Sequence, residues 1–208
     1  MRHLLLFPLL LATLVAARAE TLKFTAQPAG SKIRVDGKSN IHDWWMEGAL
    51  VGGFLEVDEK FPAKAGAKPA PGKFPAKVEV RVPIRSLNTS GKAAMNSVMQ
   101  GAIKMEDHPL IQFKAAELVF KEAKEGKLAF EAPGKLTVAG LTKDLTLPIT
   151  LEHAEGGKLK FRGEAKVKMT DFGIKPPSPA LALGLIKTDD EVKITFEWLT
   201  APAAKQAP

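Results

Sequence analysis

Residues 158–169 read KLKFRGEAKVKM, and this stretch decides the class of fold. Its small and apolar residues alternate strictly with lysine, arginine and glutamate. A period of two residues indicates a β-strand, because successive side chains of a strand point to opposite faces of the sheet. One face of this strand is therefore apolar and faces the protein interior, and the other is charged and faces solvent.

The same alternation recurs along the chain, most clearly in KVEVRVPI at 77–84 and EVKITFEW at 191–198. Less regular versions occur at 32–40, 43–56, 111–120, 126–139 and 144–153. Short turn sequences such as AKEGK and AEGGK separate many of these segments, which favours antiparallel hairpins. Eight long amphipathic strands predict an all-β fold, an eight-stranded antiparallel up-and-down barrel, with a β-sandwich as the alternative.

The ends of the chain predict an exported protein. Residues 1–19 combine a basic start, a short apolar run and small residues before a cleavage point, which is the layout of a signal peptide. We expect cleavage after Ala19, a periplasmic location and a single barrel domain at 20–200. The Pro- and Lys-rich segment 61–76 predicts a flexible loop insert, and 201–208 a disordered tail.

Composition excludes several classes of function. The chain has no cysteine, so thiol catalysis, disulfides and thiolate metal sites are absent. Of 30 basic residues, Arg2 and Arg18 leave with the signal peptide, and the remaining 28 against 23 acidic residues give a net charge of +5. This diffuse charge suits weak association with anionic membrane surfaces, but not nucleic-acid binding. We expect a monomer or homodimer.

One segment breaks the strand pattern with helical spacing. Ala94, Met95, Val98, Met99 and Ala102 recur at intervals of three and four residues, which predicts a short capping helix. Its methionines fit two interpretations. Either the helix plugs one end of the barrel as ordinary core, or its flexible side chains form a lid over a ligand.

Chemistry-bearing residues are few. The histidine and aspartate of SNIHDWWMEG at 39–48, together with His108, could serve a metal- or redox-linked enzyme. Two separated dipeptides do not make a metal site, however, and no catalytic motif occurs. We interpret His42, Asp43 and His108 as structural residues that tie down turns, and expect no catalytic residue, no metal and no cofactor.

The inward face predicts what the barrel encloses. In a strand at 43–52, Trp44, Met46, Gly48 and Leu50 share the face that lacks carboxylates. Bulky aromatic residues and small residues alternate on the inward faces of the other strands as well. An eight-stranded barrel is wide enough either for its own side chains or for one small ligand, so an apolar cavity and a fully packed interior both remain open.

Four motifs occur in the order VDGKSNIHDWWMEG, VPIRSLNTSGKAAMNSVMQGAIKMEDHPLIQFK, GKLTVAGLTKDLTLPITL and MTDFGIKPPS. Through them the chain resembles the YceI-like family of exported lipocalin-like proteins. The resemblance implies a barrel that carries a small amphiphilic lipid, with an isoprenoid chain such as a polyprenyl or quinone tail inside. The other hypotheses are the enzyme and an adaptor barrel without ligand. We expect ligand contacts from Trp44, Met46, Leu50, Met95, Val98, Met99, Phe113, Phe161, Phe172, Phe196 and Trp198.

Overall fold

The computed structural model of the protein describes residues 21–89, 93–177 and 186–204. These residues form strands joined by short turns, and one α-helix. The strands are β1 (Thr21–Ala26), β2 (Lys32–Ser39), β3 (Asp43–Gly48), β4 (Gly52–Asp58), β5 (Gly72–Pro83), β6 (Asn88–Thr89), β7 (Leu110–Lys124), β8 (Lys127–Val138), β9 (Leu141–Ala154), β10 (Lys158–Lys168) and β11 (Thr188–Pro202), and the helix is α1 (Ala93–Ala102). The predicted signal peptide and the last four residues of the predicted tail lie outside the described residues.

The strands close into an antiparallel ring with eight walls. Its order is β1, β4, β5, β7, β8, β9, β10 and β11, and β11 pairs again with β1. Strands β2, β3 and β6 extend the walls of β1, β4 and β5, respectively, because only a short break separates the two strands of each wall. The predicted eight-stranded antiparallel barrel with one short helix is confirmed, and the sandwich alternative is wrong.

Two of the β-hairpins have tight turns whose backbone geometry matches the twist of antiparallel strands. Glu125 and Gly126 join β7 to β8, and Ala139 and Gly140 join β8 to β9, all with positive φ. Two consecutive left-handed residues are the mark of a type I′ turn, in which glycine avoids the steric penalty of a side chain. These tight links hold neighbouring walls in fixed register.

Two boundaries differ from the prediction. Strand β5 begins at Gly72, inside the predicted loop at 61–76, because this stretch pairs with β7 despite its proline and lysines. Phe61 is buried, so the start of this loop packs against the barrel. Strand β11 continues past the predicted domain end at 200 to Pro202, and the Ala203 N–H donates to the Lys23 carbonyl at 2.8 Å.

The interior is solid at one end of the barrel, which we call the floor end. The Glu125–Gly126 turn and the turn at Glu155–Gly157 lie at this end, whereas α1 lies at the other, the helix end. Leu151 and Leu159 are fully buried at the floor end, and Phe130 is nearly so. At this end the barrel is therefore filled by its own residues.

Two leucines of β9 test this division. Leu151 is fully buried at the floor end, whereas Leu141 at the helix end is 47% exposed. We expect Leu151→Ala to lower the free energy of unfolding by about 2–5 kcal/mol, since it leaves a cavity in packed core. Leu141→Ala should change it by less than about 0.5 kcal/mol. Urea denaturation measures both, and equal losses would contradict a filled floor end.

A ladder of charges on the outer wall crosses five strands. Arg162 of β10 lies between Glu152 of β9 at 2.6 Å and Glu197 of β11 at 3.4 Å. Lys127 of β8 bonds to Glu152 at 3.0 Å, and Lys32 of β2 bonds to Glu197 at 3.0 Å. The lysine hydrogen bonds and the Arg162 charge lower the pKa of both carboxyls, against the opposing effect of partial burial.

The ladder predicts a specific loss of stability in acid. A carboxyl with a lowered pKa in the folded state stabilises the fold above its unfolded pKa, which is about 4.3 for glutamate. That stabilisation is lost as the pH falls through the lowered folded values. At neutral pH we expect the double variant Glu152→Gln, Glu197→Gln to be less stable than the parent protein.

The difference should close as the pH falls below about 4, because the parent then carries protonated carboxyls as well. Denaturant unfolding across this pH range measures the effect. The matched control replaces the exposed Glu59 and Glu155 by glutamine and should follow the parent curve. A gap between the ladder variant and the parent that stays constant with pH would refute the role of the ladder.

Candidate functional site

Between the floor end and α1 the barrel encloses an apolar cavity of about 150 Å³. Inward side chains of nearly every wall line it, such as Val35, Leu55, Phe113, Leu147 and Ile194. Small residues, including Ala132 and Ala165, stand among the branched and aromatic ones and leave the open volume. The hypothesis of a fully packed barrel is therefore wrong.

The lining carries no charged side chain, and its only N–H groups on side chains are the indoles of Trp44 and Trp198. The Trp44 indole donates to the Lys38 carbonyl at 3.3 Å. The Trp198 Nε1 is the only buried side-chain nitrogen or oxygen in the described parts of the chain without a hydrogen-bond partner. An unpaired buried donor costs about 1–3 kcal/mol, and an acceptor brought to Nε1 would remove this cost.

Helix α1 closes the other end of the cavity. Met99, Ala102 and Ile103 face the interior at helical spacing, and Met99 is buried. The Asn96 side chain fastens the helix to the barrel, since its oxygen accepts hydrogen bonds from the N–H and the hydroxyl of Thr89, both at 2.7 Å. The capping position of the predicted helix is confirmed.

Most of the residues expected at a ligand line this cavity. The structure brings together eight of the eleven, namely Trp44, Met46, Met99, Phe113, Phe161, Phe172, Phe196 and Trp198. They come from strands far apart in sequence, and alternation alone placed most of them on the inward face. Whether they touch a ligand stays a prediction.

Three expected residues do not line the cavity. Leu50 is 47% exposed because the strand breaks between Gly48 and Gly52, which reverses the alternation and turns Val51 inward instead. Val98 is 37% exposed on the outer side of α1. Met95, one helical turn before Met99, is half-buried but does not reach the lining.

Strand breaks and irregular strands explain why the sequence pattern did not identify other residues that line the cavity. The sequence interpretation missed Val51, Leu55, Leu118, Leu136 and Ile174, all buried in the cavity wall. Alternation within β8 was the signal that could have identified Leu136, whereas an irregularity between Ala115 and Val119 of β7 reverses the faces and conceals Leu118. Ile174 follows the MTDF turn and carried no periodic signal.

The three polar residues singled out in the sequence lie outside the cavity. The turn around His42 is tied by Ser39, whose hydroxyl donates to the His42 carbonyl at 2.8 Å. The His42 ring contacts the Asp43 carbonyl oxygen at 3.1 Å, whereas the Asp43 side chain is exposed. His108 is exposed and lies against Gly140 of the β8–β9 turn.

Two further features of the described residues bear on function. No group of three or more His, Asp or Glu side chains lies close enough to hold a metal ion in the part of the chain that the structure describes. Among the same residues, none of the helical segments has the length and hydropathy needed to cross a bilayer.

Comparison with known proteins places the chain in a family. The family model of the YceI-like domain matches residues 24–199, which is most of the chain. The chain belongs to the YceI-like family. The resemblance seen in the sequence motifs is thereby confirmed, and the match spans every wall of the barrel from β1 to β11.

Solved structures share the YceI-like fold at low sequence identity. Burkholderia cenocepacia BcnA is 19% identical with a TM-score of 0.61, covering 84% of this chain and 98% of its own. A polyisoprenoid binding domain from Saccharophagus degradans, implicated in plant cell wall breakdown, is 10% identical with a TM-score of 0.64, covering 87% and 98%. The Campylobacter jejuni YceI protein is 19% identical with a TM-score of 0.51, covering 81% and 85%. A search of curated proteins gives no match.

A cross-strand glycine sets the position of Trp44 in this YceI-like barrel. Gly37 of β2 pairs with Trp44 of β3, and a Cβ at Gly37 would lie 2.1 Å from the indole ring. We expect Gly37→Ala to displace the indole and break its bond to the Lys38 carbonyl, with a loss of about 1–3 kcal/mol in the free energy of unfolding.

Gly101→Ala is the matched control, because the same methyl group meets nothing within 4 Å there. It lies in α1 and should raise stability by up to about 1 kcal/mol, since alanine favours helix more than glycine does. Tryptophan fluorescence and thermal unfolding measure both variants. An unchanged emission spectrum in Gly37→Ala would contradict the packing of Trp44 over Gly37.

Proposed function

We propose that the protein is a periplasmic carrier that holds an amphiphile with an apolar chain, of the polyprenyl or isoprenoid quinone type, inside its barrel. The observation that carries the proposal is the cavity itself, which no charged side chain lines. Such a space selects against water and ions and in favour of a hydrocarbon chain.

The hydrophobic effect supplies the affinity. Each methylene transferred from water into an apolar cavity contributes about 0.8 kcal/mol. Ten methylenes therefore give a driving force of about 8 kcal/mol, from which the costs of immobilising the ligand must be subtracted. A chain of moderate length is enough for useful binding without any polar anchor.

Fold and family support an isoprenoid ligand. The barrel belongs to the YceI-like family, and the Saccharophagus degradans domain with the same fold is described as polyisoprenoid binding. Because identity to that domain is only 10%, its ligand is a guide to the class of molecule and not to its head group.

The unpaired Trp198 indole narrows the choice within this class. A ligand whose oxygen reaches Nε1 gains about 0.5–1.5 kcal/mol over a pure hydrocarbon, because the buried donor is then satisfied. Carbonyl oxygens of a quinone ring and the oxygen of a prenyl alcohol both qualify. Comparison of a quinone with a hydrocarbon of equal length tests this preference.

The sequence supports the cellular setting of this proposal. The signal-like segment at 1–19 supports export and cleavage after Ala19, and the net charge of +5 supports weak association with anionic membrane surfaces. A carrier working as a monomer or homodimer would exchange its lipid there. Catalysis has no part in this proposal, in which His42, Asp43 and His108 serve the turns at the helix end.

The test begins with protein purified from its own host. Native mass spectrometry and lipid extraction should reveal a co-purifying isoprenoid-type lipid. Titration of delipidated protein with a short-chain isoprenoid quinone should change the emission of Trp44 and Trp198, which line the cavity. Absence of both a co-purifying lipid and any spectral change would defeat the carrier proposal.

A pair of alanine substitutions on β8 locates the binding. Ala132 is buried in the cavity wall, and Ala132→Phe places a ring in the open volume, which should weaken binding at least about tenfold. Ala129 lies on the opposite face of the same strand, so Ala129→Phe adds the same ring outside the barrel. Equal affinities of the two variants would place the ligand elsewhere, provided that circular dichroism shows both folded.

A further inference from the structure

The junction between β9 and β10 is hydrogen-bonded only toward the floor end. From that end the two strands pair as far as Ile149 and Gly163. Toward the helix end, β9 continues as residues 141–148, which pair with β8, and β10 continues as residues 164–168, which pair with β11. Within the described parts of the chain, no ladder pair joins these two segments. We call this part of the junction the β9–β10 split.

The sequence explains where the ladder stops. Pro148 has no N–H, and its carbonyl oxygen lies 2.7 Å from the position that a Cβ would take on Gly163 of β10. The N–H and C=O of a residue in an antiparallel ladder point to the same neighbouring strand, so Pro148 has no donor where one would face β10. A proline of this kind is typical of a strand edge. On its β10 side, β9 is therefore an edge from Pro148 to the helix end.

Apolar side chains that line the cavity stand on both sides of the split. They are Leu145 and Leu147 of β9, and Ala165 and Val167 of β10. All four are half-buried, whereas Ala132 of β8, which pairs with Leu147, is buried. At the split, side chains and not a backbone ladder therefore separate the cavity from solvent.

The split also has a fixed upper limit. After the turn Met169–Phe172, Gly173 packs against Leu141, since a Cβ there would lie 3.1 Å from the leucine side chain. The N–H and the hydroxyl of Thr170 donate to the Asp190 carboxylate at 2.9 and 2.6 Å, which fastens this turn to β11. The split is thus a bounded opening in the ladder that spans five residues of β10, or about 17 Å at about 3.3 Å per residue.

The closed cavity is too small for a long apolar chain unless the walls move. Its volume of about 150 Å³ corresponds to about five water-sized groups at about 30 Å³ each. A tail of ten methylenes therefore requires the barrel to widen. Moving the edges of the split apart breaks no ladder pair, whereas moving β8 from β9 at this depth breaks the pairs from Leu141 to Pro148. The barrel consequently widens most easily at the split.

We propose that the β9–β10 split is a side entrance, through which the apolar chain of the ligand passes into and out of the cavity. This inference rests on the proposed carrier function and adds the route that the ligand takes. The side chains of Leu145, Leu147 and Val167 form the gate. Helix α1 stays in place during the passage, held by the bonds between Asn96 and Thr89.

Crosslinking tests this route, because the chain has no cysteine of its own. Thr146 and Lys166 lie on the outer face at the two edges, and they would stand opposite each other if the ladder continued. In the variant Thr146→Cys, Lys166→Cys, a short reducible bis-methanethiosulfonate reagent holds the split closed.

The probe is a ubiquinone with a geranyl tail, and its exchange is followed by stopped-flow quenching of the tryptophan emission. With the split closed, we expect the association and dissociation rate constants to fall at least about tenfold, because the gate cannot open. Both should recover when the crosslink is reduced. Unchanged rate constants in the crosslinked protein would overturn the proposal.

Two matched crosslinks serve as controls, each compared with the same variant after reduction. Lys135→Cys, Asp144→Cys joins an exposed pair across the laddered β8–β9 junction at a similar depth. Asn88→Cys, Asn96→Cys fixes α1 to the barrel where the two amides lie 3.2 Å apart. Neither crosslink should change the rate constants by more than about twofold, since neither spans the gate. A loss with α1 fixed as large as that with the split closed would overturn the proposal as well.

A pair of valines tests the gate without any crosslink. Val167 and Val80 both line the cavity and are half-buried, but Val80 belongs to β5, which is paired with β4 and β7 at this level. Val167→Ala removes part of the gate and should raise the association rate constant at least about threefold, whereas Val80→Ala should leave it unchanged. Equal association rate constants for the two variants would contradict a gate at the split.

The outcomes separate the two proposals. If the quinone does not bind the parent protein, the carrier function fails, and the side entrance fails with it. If the quinone binds and closing the split leaves its exchange unchanged, the side entrance alone fails. The valine variants decide the route even if a cysteine variant does not fold.

Discussion

The barrel depends on the seam at which its last strand bonds to its first two. Strand β11 pairs with β2 and, further along, with β1, but the ladder is interrupted at residues 27–31 between them. Ser31, only 4% exposed, bridges this gap, since its hydroxyl accepts from the Leu199 N–H at 3.0 Å and donates to the Gln27 carbonyl at 2.7 Å. With no cysteine in the chain, hydrogen bonds and packing alone close the ring, and closure gives each of its eight main strands a partner on both sides.

Closure also decides where the interior is solid and where it is hollow. Every wall must send alternate side chains inward, so the size of those side chains fixes the space left at each level. At the floor end phenylalanine and leucine meet across the axis, whereas Ala132 and Ala165 leave room higher up. The cavity is thus a consequence of which residues stand at equivalent depths on different strands.

Most of the predicted fold and cavity lining came from the alternation of apolar and polar residues with a period of two. It identified the eight walls and the inward face, and it placed residues such as Phe113 and Phe196 correctly because the strands there are unbroken. It failed at Leu50, where a break of three residues reverses the faces, and at Phe61, whose loop composition concealed a buried ring. Alternation reports the face of a residue but not the place where a strand is interrupted, nor which loop residue folds back onto the core.

A permanent void has a thermodynamic consequence for a protein built in this way. At about 24 cal/mol per Å³, an empty cavity of about 150 Å³ costs about 3–4 kcal/mol, a sizeable part of the stability of an ordinary domain. The fold can tolerate this cost because the floor end is tightly packed and the seam pairs the last strand with the first. A chain that fills the void restores the missing contacts, so ligand binding and folding stability are coupled through the same set of side chains. Occupation of the cavity therefore raises the free energy of unfolding of the whole barrel.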